Sequence, residues 1–190
     1  MKNDREDGVF AYTKGKIESV DPQAIDKSRA VLPALPEGKR RHTDTLKAKN
    51  KSVIAKTPWT LGLVEAIGLV DIILRQKLDT KNRAALILLD SNFEIAMKEF
   101  IVNRTDLFPA TTYNDTKIAA LFRNRANVVQ EITAKVPAIV PLLPKIDSMY
   151  RLRNKLVHER ATVDVPAGTI AEFRKTVSKA LKILFHLSVA

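Results

Sequence analysis

From Trp59 to the end of the chain, apolar side chains recur every three or four positions, and no stretch alternates convincingly at every second one. That period is the signature of amphipathic helices and leaves little room for strands. The spacing predicts a first helix over Trp59 to Leu78, entered through Thr57-Pro58, with a wide apolar surface from Leu61 to Leu74 and a polar stripe of Glu65, Gly68, Asp71 and Arg75. A second helix is expected over Lys81 to Val102, with Arg83, Asp90, Ser91, Glu94 and Lys98 on its polar face. The short Asp79-Thr80 link makes these two helices antiparallel neighbours. Asn114-Asp115 offers an N-cap for a third helix, to about Val136, with Ile118, Leu121, Phe122, Val129 and Ile132 inward and Lys117, Arg123 and Arg125 outward. Pro137, Pro141 and Pro144 interrupt the chain before a fourth helix from Lys145 to about Glu159. After a loop from Thr162 to Gly168, a fifth helix follows, with Ile170, Phe173, Val177, Leu181 and Leu184 in helical register. The expected fold is all-α, an antiparallel bundle of four to five helices over residues 59–190, and no internal repeat is visible.

Residues 1–58 read differently. Apolar residues are sparse, and Pro22, Pro33, Pro36 and Gly38 break any long periodicity, so this segment is expected to be mostly irregular, with one short extended piece at Gly8 to Gly15. Between Lys39 and Lys56 stand seven basic residues, Lys39, Arg40 and Arg41 among them, against the single acidic Asp44. Such a block is either a solvated linker or a basic arm that lies along RNA or an acidic partner. It also suits the trailing edge of a domain in a longer protein. At 190 residues the chain has room for one well-buried core and an accessory segment.

The formal net charge of +11 favours polyanionic partners through salt-sensitive attraction. The sequence contains no cysteine, which removes disulfide frameworks, thiolate nucleophiles and Cys-rich zinc sites. The charged start Met1 to Asp7 is unlike a signal peptide, and Glu65 and Asp71 interrupt the most apolar run. A soluble, cytoplasmic protein without membrane contact is the resulting expectation.

Of the three histidines, His42 falls in the basic block and reads as solvated, and His186 reads as a polar residue near a helix end. His158 has more company. Asn154 lies one turn before it on the same helical face, with Tyr150 and Arg151 a further turn back, and Arg153 stands about 140° around the helix from the histidine. An imidazole can take or give a proton near neutral pH, the guanidinium of Arg153 or of Arg151, a candidate RNA-binding residue, can hold a phosphate through two hydrogen bonds, and an amide can fix a substrate or a tautomer. RNA supplies its own nucleophile in the 2′-hydroxyl. The plainer reading of the same residues is a set of exposed cations near a helix C-terminus, where the helix dipole favours them.

Arg153-Asn154-Lys155-Leu156-Val157-His158 resembles the Arg-Asn-x-x-x-His motif of HEPN domains, and it stands on the penultimate helix, where that family carries it. The similarity spans roughly Trp59 to Val189. It implies a metal-independent endoribonuclease of toxin–antitoxin or antiviral defence systems, with no cofactor and with two copies of the motif facing each other in a homodimer. His158 would then be the general acid/base, Arg153 the phosphate ligand and Asn154 a positioning residue. The reaction implied is 2′-hydroxyl attack on the neighbouring phosphate, giving a 2′,3′-cyclic phosphate and a 5′-hydroxyl. The resemblance also implies an antitoxin or a larger defence-system partner. Glu159-Arg160-Ala161 after the histidine does not match the tyrosine-rich branch that a nucleotidyltransferase modifies.

Asp90 and Glu94, one turn apart, either pair with solvent and Lys98 or orient the Arg153/His158 group from the second helix. No spacing suggests a metal site, and there is neither a phosphate-binding glycine loop nor a nucleophile elbow. The rival functional readings are a non-catalytic helical module that binds RNA or protein within a larger defence protein, and a plain dimerisation bundle.

Overall fold

A computed structural model describes residues 42–158 and 164–190. The described residues are helical, with no strand among them: α1 (His42–Lys49), α2 (Lys51–Lys56), α3 (Thr60–Leu74), α4 (Lys81–Asn103), α5 (Asp115–Phe122), α6 (Arg125–Lys135), a 3-10 helix (Pro137–Leu142), α7 (Leu143–His158) and α8 (Ala167–Phe185). The all-α bundle expected from the periodicity is therefore what the chain forms. No helix among the described residues is long and apolar enough to cross a membrane.

α4 is the central element, packed against α3, α6, α7 and α8. Leu86, Leu89, Phe93, Met97 and Phe100 recur along its inner side at three- and four-residue steps, and all are buried. Ile132 of α6, Ile146 of α7 and Phe173 of α8 close over them. Truncating a ring such as Phe93 to alanine would cost about 3–5 kcal/mol. A chain of edge-to-face rings, Trp59–Phe185–Phe100–Phe108–Tyr113, ties the start of α3 and the end of α8 to the loop after α4.

Local chemistry sets the helix ends. Asn114 caps α5 as its sequence position suggests, its side-chain oxygen accepting from the Lys117 N–H at 2.9 Å. The third helix is not continuous. It breaks at Arg123-Asn124, and Asn124 starts α6 by accepting from the Ala126 N–H at 2.8 Å. Pro137 and Pro141 hold the next turn in the tighter 3-10 form, since neither supplies an amide donor. α8 ends at His186, whose N–H donates to the Lys182 carbonyl at 3.0 Å and whose left-handed backbone (φ 60°) turns the chain so that the Leu187 N–H meets the Leu181 carbonyl at 3.4 Å.

The basic block differs from the expected linker. Its described part, His42–Lys56, forms α1 and α2, and α1 packs across the polar stripe of α3. Leu46 is buried, Lys47 pairs with Glu65 at 2.6 Å, and Thr43 lies against Gly68 so closely that an added Cβ would meet its methyl at 2.5 Å. The stripe reads as solvent-facing only because its cover is a short helix with few apolar residues of its own. The helical unit thus begins upstream of Trp59. The extended piece expected at residues 8–15, and Lys39, Arg40 and Arg41, lie outside the described residues.

Candidate functional site

A single carboxylate organises the polar centre of the bundle. Asp90 is completely buried in α4, in register with Leu86, Phe93 and Met97 rather than on the polar face assigned to it. A charge there is tolerated only when paired. Two arginines from different helices meet it: Arg125 Nη1 and Arg153 Nε each donate to Oδ2 at 3.0 Å. Arg125 Nη2 also lies 2.9 Å from Oδ1, close enough for an ion pair although its N–H is not aimed along the hydrogen-bond direction. Asp90 therefore joins α4 to α6 and α7.

Glu94, one turn further along α4, forms the outer edge of the cluster. It accepts from Lys98 at 2.8 Å and stands 3.7 Å from Arg125 and 3.6 Å from Arg153. Burial pushes its pKa up, but Lys98, Arg125 and Arg153 outweigh that and hold it below the ordinary glutamate range. The Tyr150 ring covers the two guanidinium groups, its centroid 4.2 Å from Arg125 Cζ and 5.1 Å from Arg153 Cζ.

Arg153 has a second engagement. Its Nη1 donates to the Asn154 side-chain oxygen at 2.9 Å, so the first two residues of the motif are locked to each other and, through Arg153, to Asp90. Both expected carboxylates thus reach the motif's arginine: Asp90 binds it directly, and Glu94 divides its charge between Lys98 and the two arginines. His158 is exposed at the end of α7, as is Arg151. The motif is split by the helix: Arg153 turns inward to Asp90, while His158 stands on the outer side, about 140° away.

Arg125 is the residue that sequence reading missed. The charge pattern predicts it outward, yet only 9% of its surface is exposed. It stands seven residues after Ile118 and seven before Ile132, and so occupies a position in their apolar stripe. A cation in a core register signals a buried carboxylate elsewhere, and Asp90 stands in the matching register of α4.

A second ionic cluster lies at the α1–α3–α8 junction. Arg174 donates to both Asp71 oxygens, through Nε at 2.9 Å and Nη2 at 3.0 Å, and His42 Nε2 is 2.7 Å from Oδ2. His42 is thus a packing partner rather than the solvated residue expected. Burial raises the Asp71 pKa, but the hydrogen bonds and charges of Arg174 and His42 prevail and bring it below the usual aspartate value. Arg174 also bonds Ser178 and the Val189 carbonyl. Asn50 holds the neighbouring residue of the same tail, accepting from the Ser188 N–H at 2.7 Å and donating to its carbonyl at 3.0 Å. These contacts fasten α1 and the tail after α8 to α3.

Comparison of the chain with protein-family models, with curated proteins and with solved structures finds no match.

Proposed function

We propose that this chain is a HEPN-type, metal-independent endoribonuclease, acting as a homodimer in a cytoplasmic toxin or antiviral-defence system with an antitoxin or larger defence partner. The observation that carries the reading is the hydrogen-bonded series Asp90–Arg153–Asn154, which fixes the motif's first two residues while His158, one turn beyond Asn154, stays open to solvent. An anchored arginine and amide beside an accessible imidazole supply a rigid support and a free proton carrier. In this reading His158 moves the proton between the 2′-hydroxyl and the 5′-leaving oxygen, and Asn154 is oriented by Arg153. A second subunit's motif completes the cleft.

The test is cleavage of structured and unstructured RNA in the presence of EDTA. Cleavage leaving 2′,3′-cyclic phosphate and 5′-hydroxyl ends, lost in His158→Ala, is the expected result. Intact RNA with the wild-type protein, or equal cutting by His158→Ala, overturns the proposal.

One observation favours a second reading, a non-catalytic RNA- or protein-binding module. The Arg153 guanidinium is engaged within its own subunit by Asp90, Asn154 and Glu94, as a purely structural arginine would be. That reading predicts RNA binding, or association with a protein, that is indifferent to His158.

A further inference from the structure

Arg153 points into the bundle, so the cations available to a substrate on α7 are different ones. Ser148, Arg151, Lys155 and His158 follow one another at steps of three, four and three residues, and all four are exposed. On an α-helix these steps keep the four side chains within about 80° of arc, on the side opposite Arg153, along about 15 Å of axis. Ser148, Arg151 and Lys155, together with Leu152, line one shallow depression, and His158 continues the same line at its end. Among the described residues, neither Arg151 nor Lys155 has a carboxylate within ion-pair distance. Asp147 adjoins Ser148 on the helix but makes no pair with Arg151, and among the described residues no acidic side chain occupies a position in the stripe itself.

We infer that this outer stripe of α7 is a track for the backbone of single-stranded RNA, with Arg151 and Lys155 binding consecutive phosphates and delivering the next one to His158. The inference rests on the endoribonuclease reading for the role of His158, and moves phosphate contact from Arg153 to Arg151 and Lys155. Each turn of the helix advances about 5.4 Å, so cations one turn apart present a regular row of charge to a phosphodiester strand. Ser148 supplies a hydroxyl donor at the far end of the row. Arg153 acts behind the track as a positioning residue, through Asn154.

The test uses the full chain and a fluorescent single-stranded oligoribonucleotide carrying 2′-O-methyl groups, which cannot undergo 2′-hydroxyl attack. Anisotropy titrations over a salt series give affinity and its salt slope. Arg151→Glu/Lys155→Glu is expected to weaken binding at least tenfold and to flatten the slope by about 1–2, near the 0.7 per lost phosphate contact of single strands. Lys175→Glu/Lys179→Glu, at two exposed cations on α8, makes the same change of net charge and should change binding less than threefold. Circular dichroism melting of each variant verifies folding. Equal affinity of Arg151→Glu/Lys155→Glu and Lys175→Glu/Lys179→Glu overturns the track, as does absence of salt-sensitive binding by the wild type. The two proposals fail separately. Wild-type protein that binds the oligonucleotide through Arg151 and Lys155 but cuts no RNA sinks only the nuclease. Cleavage at unchanged KM in Arg151→Glu/Lys155→Glu sinks only the track.

Discussion

Arg153 donates from Nε to Asp90 at 3.0 Å and from Nη1 to Asn154 at 2.9 Å, so one guanidinium links the buried centre of α4 to the outer half of α7. Asp90 is completely buried and serves Arg125 as well. Removing its charge leaves two guanidinium groups with only the more distant Glu94. Asp90→Asn is therefore expected to destabilise the unit by about 3–5 kcal/mol, the usual effect of deleting one partner of a buried ion pair. The melting temperature should fall on the order of 10 °C. Replacing the set together, as Asp90→Leu/Arg125→Met/Arg153→Met, should recover most of that loss, because it leaves no uncompensated buried charge. Thermal melting of the two proteins checks the pair of outcomes.

The Asp71 cluster should show in the acid limb of stability. Its carboxyl titrates lower in the folded chain than the ordinary aspartate value near 3.9, with Arg174 and His42 outweighing the burial that acts the other way. A depressed folded pKa contributes stability that is present above the unfolded pKa and is lost as pH falls through the folded one. Wild-type melting temperature should therefore decline as pH drops from about 4 toward 2. Asp71→Asn should be less stable than wild type at pH 6, and the gap should narrow across that acid window. Melts at a series of pH values measure it, and a gap independent of pH would contradict the assignment.

Gly68 records how closely α1 approaches α3. A Cβ there would stand 2.5 Å from the Thr43 methyl and 3.4 Å from its Cβ. A β-branched residue in a helix has few rotamers with which to retreat. Gly68→Ala gains about 1 kcal/mol of helix propensity but forces α1 outward, an overpacking penalty of about 1–3 kcal/mol. A net loss of stability is expected from denaturant titration. Thr43→Ala/Gly68→Ala should regain it, since Thr43→Ala removes the obstructing methyl and leaves the propensity gain.

The parts of this molecule that were legible in its sequence are those governed by period and by local caps. α4 begins at Lys81, as its pattern predicts, and ends at Asn103, one residue beyond the expected Val102; Asn114 caps α5. The carboxylates Asp90 and Glu94 were visible as partners for the motif because they stand one turn apart on an earlier helix. Their partner Arg125 was not, because a charge is read as outward unless its register is compared with the apolar stripe around it. The break at Asn124 was hidden by the same stripe, which passes through it undisturbed. α1 was obscured for a different reason. Its single buried apolar residue, Leu46, gives no periodic signal, and its hold on α3 comes from Thr43 against Gly68 and from ion pairs. Such contacts carry no local sequence signature.

The endoribonuclease reading divides the motif into a residue that supports and a residue that reacts, and mutation should separate the two. His158 is exposed and makes no hydrogen bond among the described residues, so His158→Ala should leave the melting temperature unchanged within about 1–2 °C. Cleavage should nevertheless fall at least a hundredfold, the usual contribution of a general acid/base. Arg153→Ala removes one of the two direct donors to Asp90 and releases Asn154, so both properties should fall together. Arg153→Lys tests geometry against charge. A lysine retains the positive charge near Asp90 but lacks the planar fork that reaches Asp90 and Asn154 at once. It should recover much of the stability and little of the activity. Melting and cleavage measured side by side on the three proteins decide the matter. Should Arg153→Lys restore cleavage along with stability, the Asn154 link would have no part in the reaction. Should His158→Ala lower stability as much as Arg153→Ala, the histidine would belong to the structure of the bundle and not to its chemistry.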